Sequence, residues 1–574
     1  MKRRAFLHTS ATAAAFATLG SVGRTAEAST SQDLVRDLIR ANDARVPALL
    51  ATQIRTPGKP DDGGVRNEYG FATAGGTAGL VLAFSCAVTS PESRYHESKE
   101  LLESLRLAAA YLLGSQHPDG TIDLYATNFA SPPDTAFVLE LLAPACALLR
   151  RSKQPEGVAV GAEVGRFVTR AADGLVVGGV HTPNHRWVVC AALAWAHSLF
   201  PNPRYLGRID QWMAEKIDID PDGQYTEKST TVYSPVVDRA LVTVARLLGR
   251  PALLDPVRRN LEMTLYYLHP DGEVATEASL RQDRSQRGTV SRYYYPYRYL
   301  ALHDGNGRFA AIARQIERQE PGHLTGELSA FLLEPELSRP LPPDAALPTD
   351  FAKVFAYSSL ARIRRGSTSI TVLGQNTTLL TYRKGAAVLD ALRIATAFFG
   401  KGQFTSESLE EKNGVYVLRQ SLSGPYFQPL SAAQIASGEH VKMAPNGTLA
   451  NMGKAIRAES NVQRLTSVIT VTEAAGRVTL SVSIEGTPAV PVSVEFAFRA
   501  GGTFAGVEPV KGAADSFLLR SGEGRYRVGN DVITFGPGAA DHTYTQIRGA
   551  LPKHPGSSVY LTGFTPFQRT LTLG

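Results

Sequence analysis

Glu334-Pro335-Glu336-Leu337-Ser338-Arg339-Pro340-Leu341-Pro342-Pro343-Asp344-Ala345-Ala346-Leu347-Pro348-Thr349-Asp350 divides the chain into two halves of different period. Five prolines fix φ and remove backbone donors in this stretch, so it reads as a stiff linker over residues 334–350. Before it, apolar residues recur at helical spacing, as in Leu34, Val35, Leu38 and Ile39. After it, Val478, Leu480, Val482 and Ile484 alternate with polar residues, as do Val492, Val494, Phe496 and Phe498. That period of two, punctuated by Gly476, Gly486 and Gly524, predicts an antiparallel β-sandwich over residues 351–574.

The helical half carries about twelve amphipathic segments, starting near residues 32, 74, 97, 134, 160, 184, 204, 233, 253, 293, 307 and 323. Twelve helices make about six hairpins. A weak repeat supports that grouping: Pro118-Asp119-Gly120, Pro221-Asp222-Gly223 and Pro270-Asp271-Gly272 each follow a helix, at intervals of one or two hairpin lengths. Polar loops follow each turn, and loops recurring at one end of a helical array are where a cleft is built. The expected architecture is therefore an array of about six helical hairpins over residues 29–333 followed by the sandwich.

With 574 residues, 43% of them hydrophobic and 20% charged, the chain has the composition of a multi-domain globular protein, which excludes disorder, collagen and coiled coil. The first 28 residues read as a twin-arginine export signal: Arg3-Arg4, then Phe6 and Leu7, an apolar stretch, and Ala26-Glu27-Ala28 as cleavage site. The expected location is thus periplasmic or secreted. The apolar stretch is shorter than a membrane span, so no membrane association is expected after its removal. The segment carries part of the +7 formal charge, so basicity gives no ground for a nucleic-acid partner. Cys86, Cys146 and Cys190 are odd in number and lie in apolar stretches, as buried free thiols do.

Two stretches carry chemistry. In Gly178-Gly179-Val180-His181-Thr182-Pro183-Asn184-His185-Arg186-Trp187, a helix starting at Thr182 or Pro183 gathers a carboxamide, an imidazole and a guanidinium at its N-terminus, a site suited to an anion. In Asp222-Gly223-Gln224-Tyr225-Thr226-Glu227-Lys228-Ser229-Thr230-Thr231-Val232-Tyr233, polar and aromatic residues crowd a loop before an apolar helix. A third cluster interleaves Arg281, Arg284, Arg287, Arg292 and Arg298 with Tyr293, Tyr294, Tyr295, Tyr297 and Tyr299; arginine forks suit carboxylates and tyrosine faces suit sugar rings. Asn128 occupies the matching loop of an earlier hairpin, ahead of Asp134, which reads as a helix cap. His181 and His185 are four apart, but Pro183 intervenes and no third ligand is evident, so no metal or other cofactor is expected. There is no P-loop and no G-x-S-x-G elbow.

An Asn-His pair opening a helix, followed some fifty residues later by Asp-Gly, an aromatic, Glu, Ser and Tyr before another helix, resembles the heparinase II/III-like and related polysaccharide lyases. The resemblance implies an (α/α) toroid followed by antiparallel β-sheets and cleavage of a uronic-acid glycan by β-elimination. It makes His185 the match to the family's catalytic His, Tyr233 to its catalytic Tyr, and Asn184 to the position that neutralises the substrate carboxylate. The interval from Asp222 to Tyr233 is about one residue longer than usual, and His440 and His542 are the candidates for a second histidine from the β domain. Arg186, Tyr225, Glu227, Asn128 and Arg292 are the expected substrate contacts.

The residue types suit the reaction. Removal of a C5 proton needs the adjoining carboxylate neutralised, a base, and an acid for the departing oxygen. A free tyrosine titrates near pH ~10 and is naturally the acid; a histidine near neutrality is the first choice of base, although one tyrosine can serve both roles. The expected partner is an acidic polysaccharide or oligosaccharide. Two other readings stand beside this one: a glycoside hydrolase using two carboxylates such as Asp134 and Glu227, and a non-catalytic glycan-binding protein.

Overall fold

The structure is a computed structural model that describes residues 31–438, 454 and 456–574. The export-signal reading of residues 1–28 and the candidate His440 lie outside the described residues. The chain forms two compact units, one taking the residues up to Leu268 with Gly272–Pro348, the other His269–Asp271 with Thr349–Gly574.

Among the described residues the first unit has twelve α-helices: α1 Ser31–Thr52, α2 Ala74–Thr89, α3 Lys99–Ser115, α4 Pro132–Leu149, α5 Pro155–Val177, α6 Pro183–Leu199, α7 Pro203–Ala214, α8 Tyr233–Leu248, α9 Leu254–Tyr267, α10 Tyr294–Asp304, α11 Gly307–Gln319 and α12 Leu328–Leu333. Even-numbered helices form an inner series, α2 against α4, α4 against α6, α6 against α8 and α8 against α10, and α12 returns to α2 and α4. Odd-numbered helices pack outside them, α3 on α5 and α5 on α7. Inner helices are apolar nearly all round, as α4 shows with Ala136, Leu139, Leu142, Ala143, Cys146 and Leu149 fully enclosed. Burial pushes the Cys86 thiol up to about 12 and that of Cys146 to about 11, so neither is a nucleophile at neutral pH.

The turns after the outer helices account for two of the three Pro-Asp-Gly repeats, at Gly120 and Gly223, and for a further turn at Gly63, whereas a Cβ at Gly272 would meet only the Gln315 and Gln319 side chains. Gly63, Gly120 and Gly223 adopt φ of 86°, 87° and 94°. A Cβ at these positions would lie 2.2 Å from Leu107 O on α3, 2.0 Å from Arg170 O on α5 and 2.7 Å from Arg259 O on α9. Each turn therefore presses its backbone against the next outer helix, a contact open only to glycine. Gln53 donates to both Gly63 O and Ser104 O, and Gln116 to both Gly120 O and Phe167 O, so the same seam is stitched twice by the same residue type.

Short hairpins, Val65–Arg66 with Ala72–Thr73 and Ile122–Leu124 with Asn128–Ser131, precede α2 and α4. They lie at the N-terminal ends of inner helices, the type of position at which Asn184 and Tyr233 also sit. Residues 337–342 are held against the helices of this unit: Arg298 donates to Leu337 O and Arg339 O, and Arg314 to Leu341 O and Pro342 O.

The second unit has an eight-stranded and a nine-stranded sheet. Their pairing is antiparallel apart from Ser516–Leu518 beside Ser557–Phe564. Side chains of both sheets share one core, including Ile370, Leu392 and Phe496 from one and Leu418, Ile469 and Leu480 from the other. The alternation from Val478 to Ile484 is realised, with all four apolar side chains enclosed.

Candidate active site

Thr182 is the N-cap residue of α6 and Pro183 its first residue, so Asn184 and His185 stand in the first turn, where Pro costs no hydrogen bond. Tyr233 is the first residue of α8. Ser229 organises that start: its hydroxyl accepts from Tyr233 N at 3.1 Å and its carbonyl from Ser234 N at 2.9 Å.

Two loops bring the pieces together. Thr231 donates through N and Oγ1 to Asp283 Oδ2, and Leu280 N donates to Glu227 O, so the loop before α8 is pinned to the loop after α9. The result is a chain of contacts. Asn184 Nδ2 donates to Glu227 Oε2 at 2.6 Å, with Asn184 N a longer donor to the same oxygen at 3.3 Å. Glu227 Oε1 lies 3.2 Å from Arg281 Nε. The Arg281 guanidinium sits over the Tyr233 ring at 4.8 Å, and Gln282 Nε2 donates to Tyr233 Oη at 2.9 Å.

His185 follows Asn184 and is buried, edge-on to Phe137 and His181 with ring centroids 5.9 and 4.9 Å away. Its Nδ1 is enclosed without a hydrogen-bond partner. Desolvation, then His181 and Arg281, press its pKa down to about 4 against an opposing pull from Asp134. The expectation of an imidazole poised near neutrality is thus corrected: His185 is neutral at pH 7 because its surroundings are apolar and cationic. Glu227 is raised above the usual carboxylate range by burial, which the Asn184 hydrogen bond and Arg281 only partly offset.

Other expected contacts are distributed differently. Arg186 pairs with Asp218 at 2.9 Å and Glu215 at 3.0 Å and lies over Trp187, so its guanidinium is spent on structure rather than on substrate. Tyr225, 2% exposed, donates its hydroxyl to the buried Asp238 at 2.7 Å and belongs to the core. Glu227 faces Asn184 and Arg281 rather than open solvent. Asn128 donates to Asp134 Oδ2 at 2.8 Å, and Ser131 rather than Asp134 caps α4. Arg292 is exposed, within electrostatic reach of Tyr233. The arginine and tyrosine cluster divides: Tyr293, Tyr294, Tyr295 and Tyr297 are buried and Arg298 pairs with Glu317, while Arg281 joins the site. In the second unit, His542 Nε2 lies 3.0 Å from Gly563 O and its ring packs on Phe564.

Arg281 and Gln282 were not singled out individually by the sequence motifs. Arg281 stood within the arginine cluster, and its place 48 residues from Tyr233 had no local periodicity to mark it. A heparinase III crystal structure matches over 93% of this chain and 84% of its own, with a TM-score of 0.55 at 10% identity. A chondroitin AC lyase from Streptomyces coelicolor, solved with chondroitin sulphate, matches over 96% and 80%, with a TM-score of 0.55 at 13% identity. The fold is that of the toroid-plus-sheet polysaccharide lyases. A Paenibacillus xanthan lyase matches over 95% of this chain and 56% of its own, with a TM-score of 0.53 at 9% identity. No family model matches the sequence, and no curated protein does. The likeness to these lyases is therefore one of fold.

Proposed function

We propose that this protein is an exported polysaccharide lyase that cleaves a uronic-acid-containing glycan by β-elimination. The observation that carries the reading is the contact chain from Asn184 through Glu227 and Arg281 to Tyr233, with His185 beside its first member. It collects hydrogen-bond donors, a cation, a neutral imidazole and a phenol at the starts of two inner helices, the groups an elimination needs.

In the reaction the C5 proton leaves to a base, and the electron pair left behind forms the C4–C5 double bond. The bond from C4 to the departing oxygen breaks, and that oxygen takes a proton. Donors and cations around the carboxylate stabilise the charge that grows on it, and they act more strongly as the transition state is approached. Neutral His185 has a ring lone pair able to accept a proton at neutral pH. Tyr233, its oxygen oriented by Gln282, has a proton to give to the departing oxygen.

The hydrolase reading is less well supported, because both of its carboxylates are engaged. Asp134 accepts from Ser131 and Asn128, and Glu227 from Asn184. Incubation with a panel of uronic-acid polysaccharides tests the proposal. New near-ultraviolet absorbance from an unsaturated uronide supports it; release of reducing ends without that absorbance moves the assignment to a hydrolase.

A further inference from the structure

Glu227 is an anion seated where an anion is wanted. It accepts from the backbone N and the Nδ2 of Asn184 in the first turn of α6, and it faces the Arg281 guanidinium. A helix N-terminus, a carboxamide N–H and a guanidinium are the donor set that recognises a carboxylate. Asn184 itself is only 1% exposed, so while Glu227 is in place an external carboxylate has no way to reach it.

The seating is imperfect. Glu227 Oε1 and Arg281 Nε are 3.2 Å apart, yet both are buried atoms without a hydrogen bond, and Asn184 Oδ1 is likewise unpartnered. Three buried polar atoms of one contact chain thus lack a hydrogen bond within the protein, and each calls for an account. The next residue, Lys228, has φ 51°, a left-handed conformation that an L side chain holds at a cost. Leu280 N holds the Glu227 carbonyl, so any release of the cradle is a motion of the Glu227 side chain rather than of the loop.

We propose that Glu227 is an internal occupant of the carboxylate cradle and must swing out for a uronate to bind. The proposal rests on the lyase reading for the identity of the ligand, a uronate carboxylate. Once Glu227 leaves, Asn184 N, Asn184 Nδ2 and Arg281 are released together, which couples substrate capture to exposure of the site. Glu227 competes most strongly while ionised, because only the carboxylate pairs with Arg281. The charged groups that act on it are Arg281 from the loop after α9 and Asp218 from the loop after α7, with Asn184 the hydrogen-bond donor from α6.

The test is direct binding of glucuronate, with glucose as the uncharged control, to the full-length protein and to Glu227→Gln. The glutamine still accepts from Asn184 but releases Arg281. The expected result is glucuronate binding on the order of tenfold tighter in Glu227→Gln at neutral pH, with glucose unaffected. In the unsubstituted protein, glucuronate affinity rises as pH falls and Glu227 is protonated; in Glu227→Gln it is flat over the same range. His185 gains charge on acidification too, so the pH series is repeated in His185→Phe, where a persisting rise assigns the effect to Glu227 and keeps the test open even if Glu227→Gln folds poorly. Equal, weaker or undetectable glucuronate binding by folded Glu227→Gln, or an affinity in the unsubstituted protein that does not change with pH, overturns the proposal. If instead the lyase reading is wrong, no glycan yields unsaturated product while the gain in glucuronate binding remains.

Discussion

Gln282 Nε2 donates to Tyr233 Oη at 2.9 Å, so the residue that starts α8 is oriented by a loop 49 residues further along the chain. Tyr233→Phe deletes a proton-transfer group and little else. Turnover is expected to fall by ~10² to 10⁴-fold with substrate affinity retained. Gln282→Leu leaves the phenol in place but unoriented, and a smaller fall in turnover at unchanged affinity is expected. Steady-state kinetics on whichever glycan is cleaved checks both.

Asn184→Asp sets a second carboxylate against Glu227 in a buried site. Two like charges at this distance are strongly unfavourable, so the variant is destabilised at neutral pH and recovers as acid protonates one member of the pair. Asn184→Ala instead removes the donor and leaves Glu227 buried with a lost partner, a cost of about 1–3 kcal/mol at neutral pH. Thermal unfolding of the two variants across a pH series separates these behaviours.

His185 gives a pH signature of its own. Its ordinary value is 6.5 and its folded value about 4, so between these pH values the unfolded chain binds a proton that the folded protein does not. Stability is therefore fully present above pH 6.5 and is lost as pH falls toward 4, by about 3 kcal/mol from this group alone. His185→Phe lacks that titration. The difference in unfolding free energy between the unsubstituted protein and His185→Phe is expected to shrink on acidification through that window; a constant difference would count against the buried neutral imidazole.

Activity is expected to survive exhaustive chelation. The positive charge beside the candidate centre is supplied by Arg281 and Arg292, and the carboxylates around it, Glu227, Asp134 and Asp283, are already engaged by protein donors. Loss of activity that is restored by one divalent ion would show a ligand set outside this accounting.

The ring was legible where local pattern decides. Apolar spacing marked the helices to within a few residues, because an inner or outer helix needs a continuous apolar face whatever its partner. The Pro-Asp-Gly turns were visible because each needs a glycine at positive φ, and at Gly120 and Gly223 only glycine fits against the next helix. Asn184, His185 and Tyr233 were visible because helix starts are local features. Partnerships across loops were not. Arg186 looked free for a ligand until Asp218 and Glu215, some thirty residues away, took both ends of its guanidinium. Tyr225 looked like a rim aromatic until Asp238, one face further along α8, received its hydroxyl. The depressed basicity of His185 depends on His181, Arg281 and the surrounding burial, and three-dimensional proximity of that kind leaves no trace in spacing.

The glycine turns have a consequence for how such a ring is assembled and inherited. Gly63, Gly120 and Gly223 each bring one hairpin into backbone contact with the following one, and buried amides of Gln53, Gln116 and Asn260 hold the contact, so the coupling does not depend on the loops at the helix ends. Such a molecule behaves as a one-dimensional array bent round on itself, with nearest-neighbour joints that any sequence keeping the glycines can reuse. Rim loops can then lengthen, shorten or change charge while the joints stay as they are, and a lineage can explore new ligands without first solving the ring again.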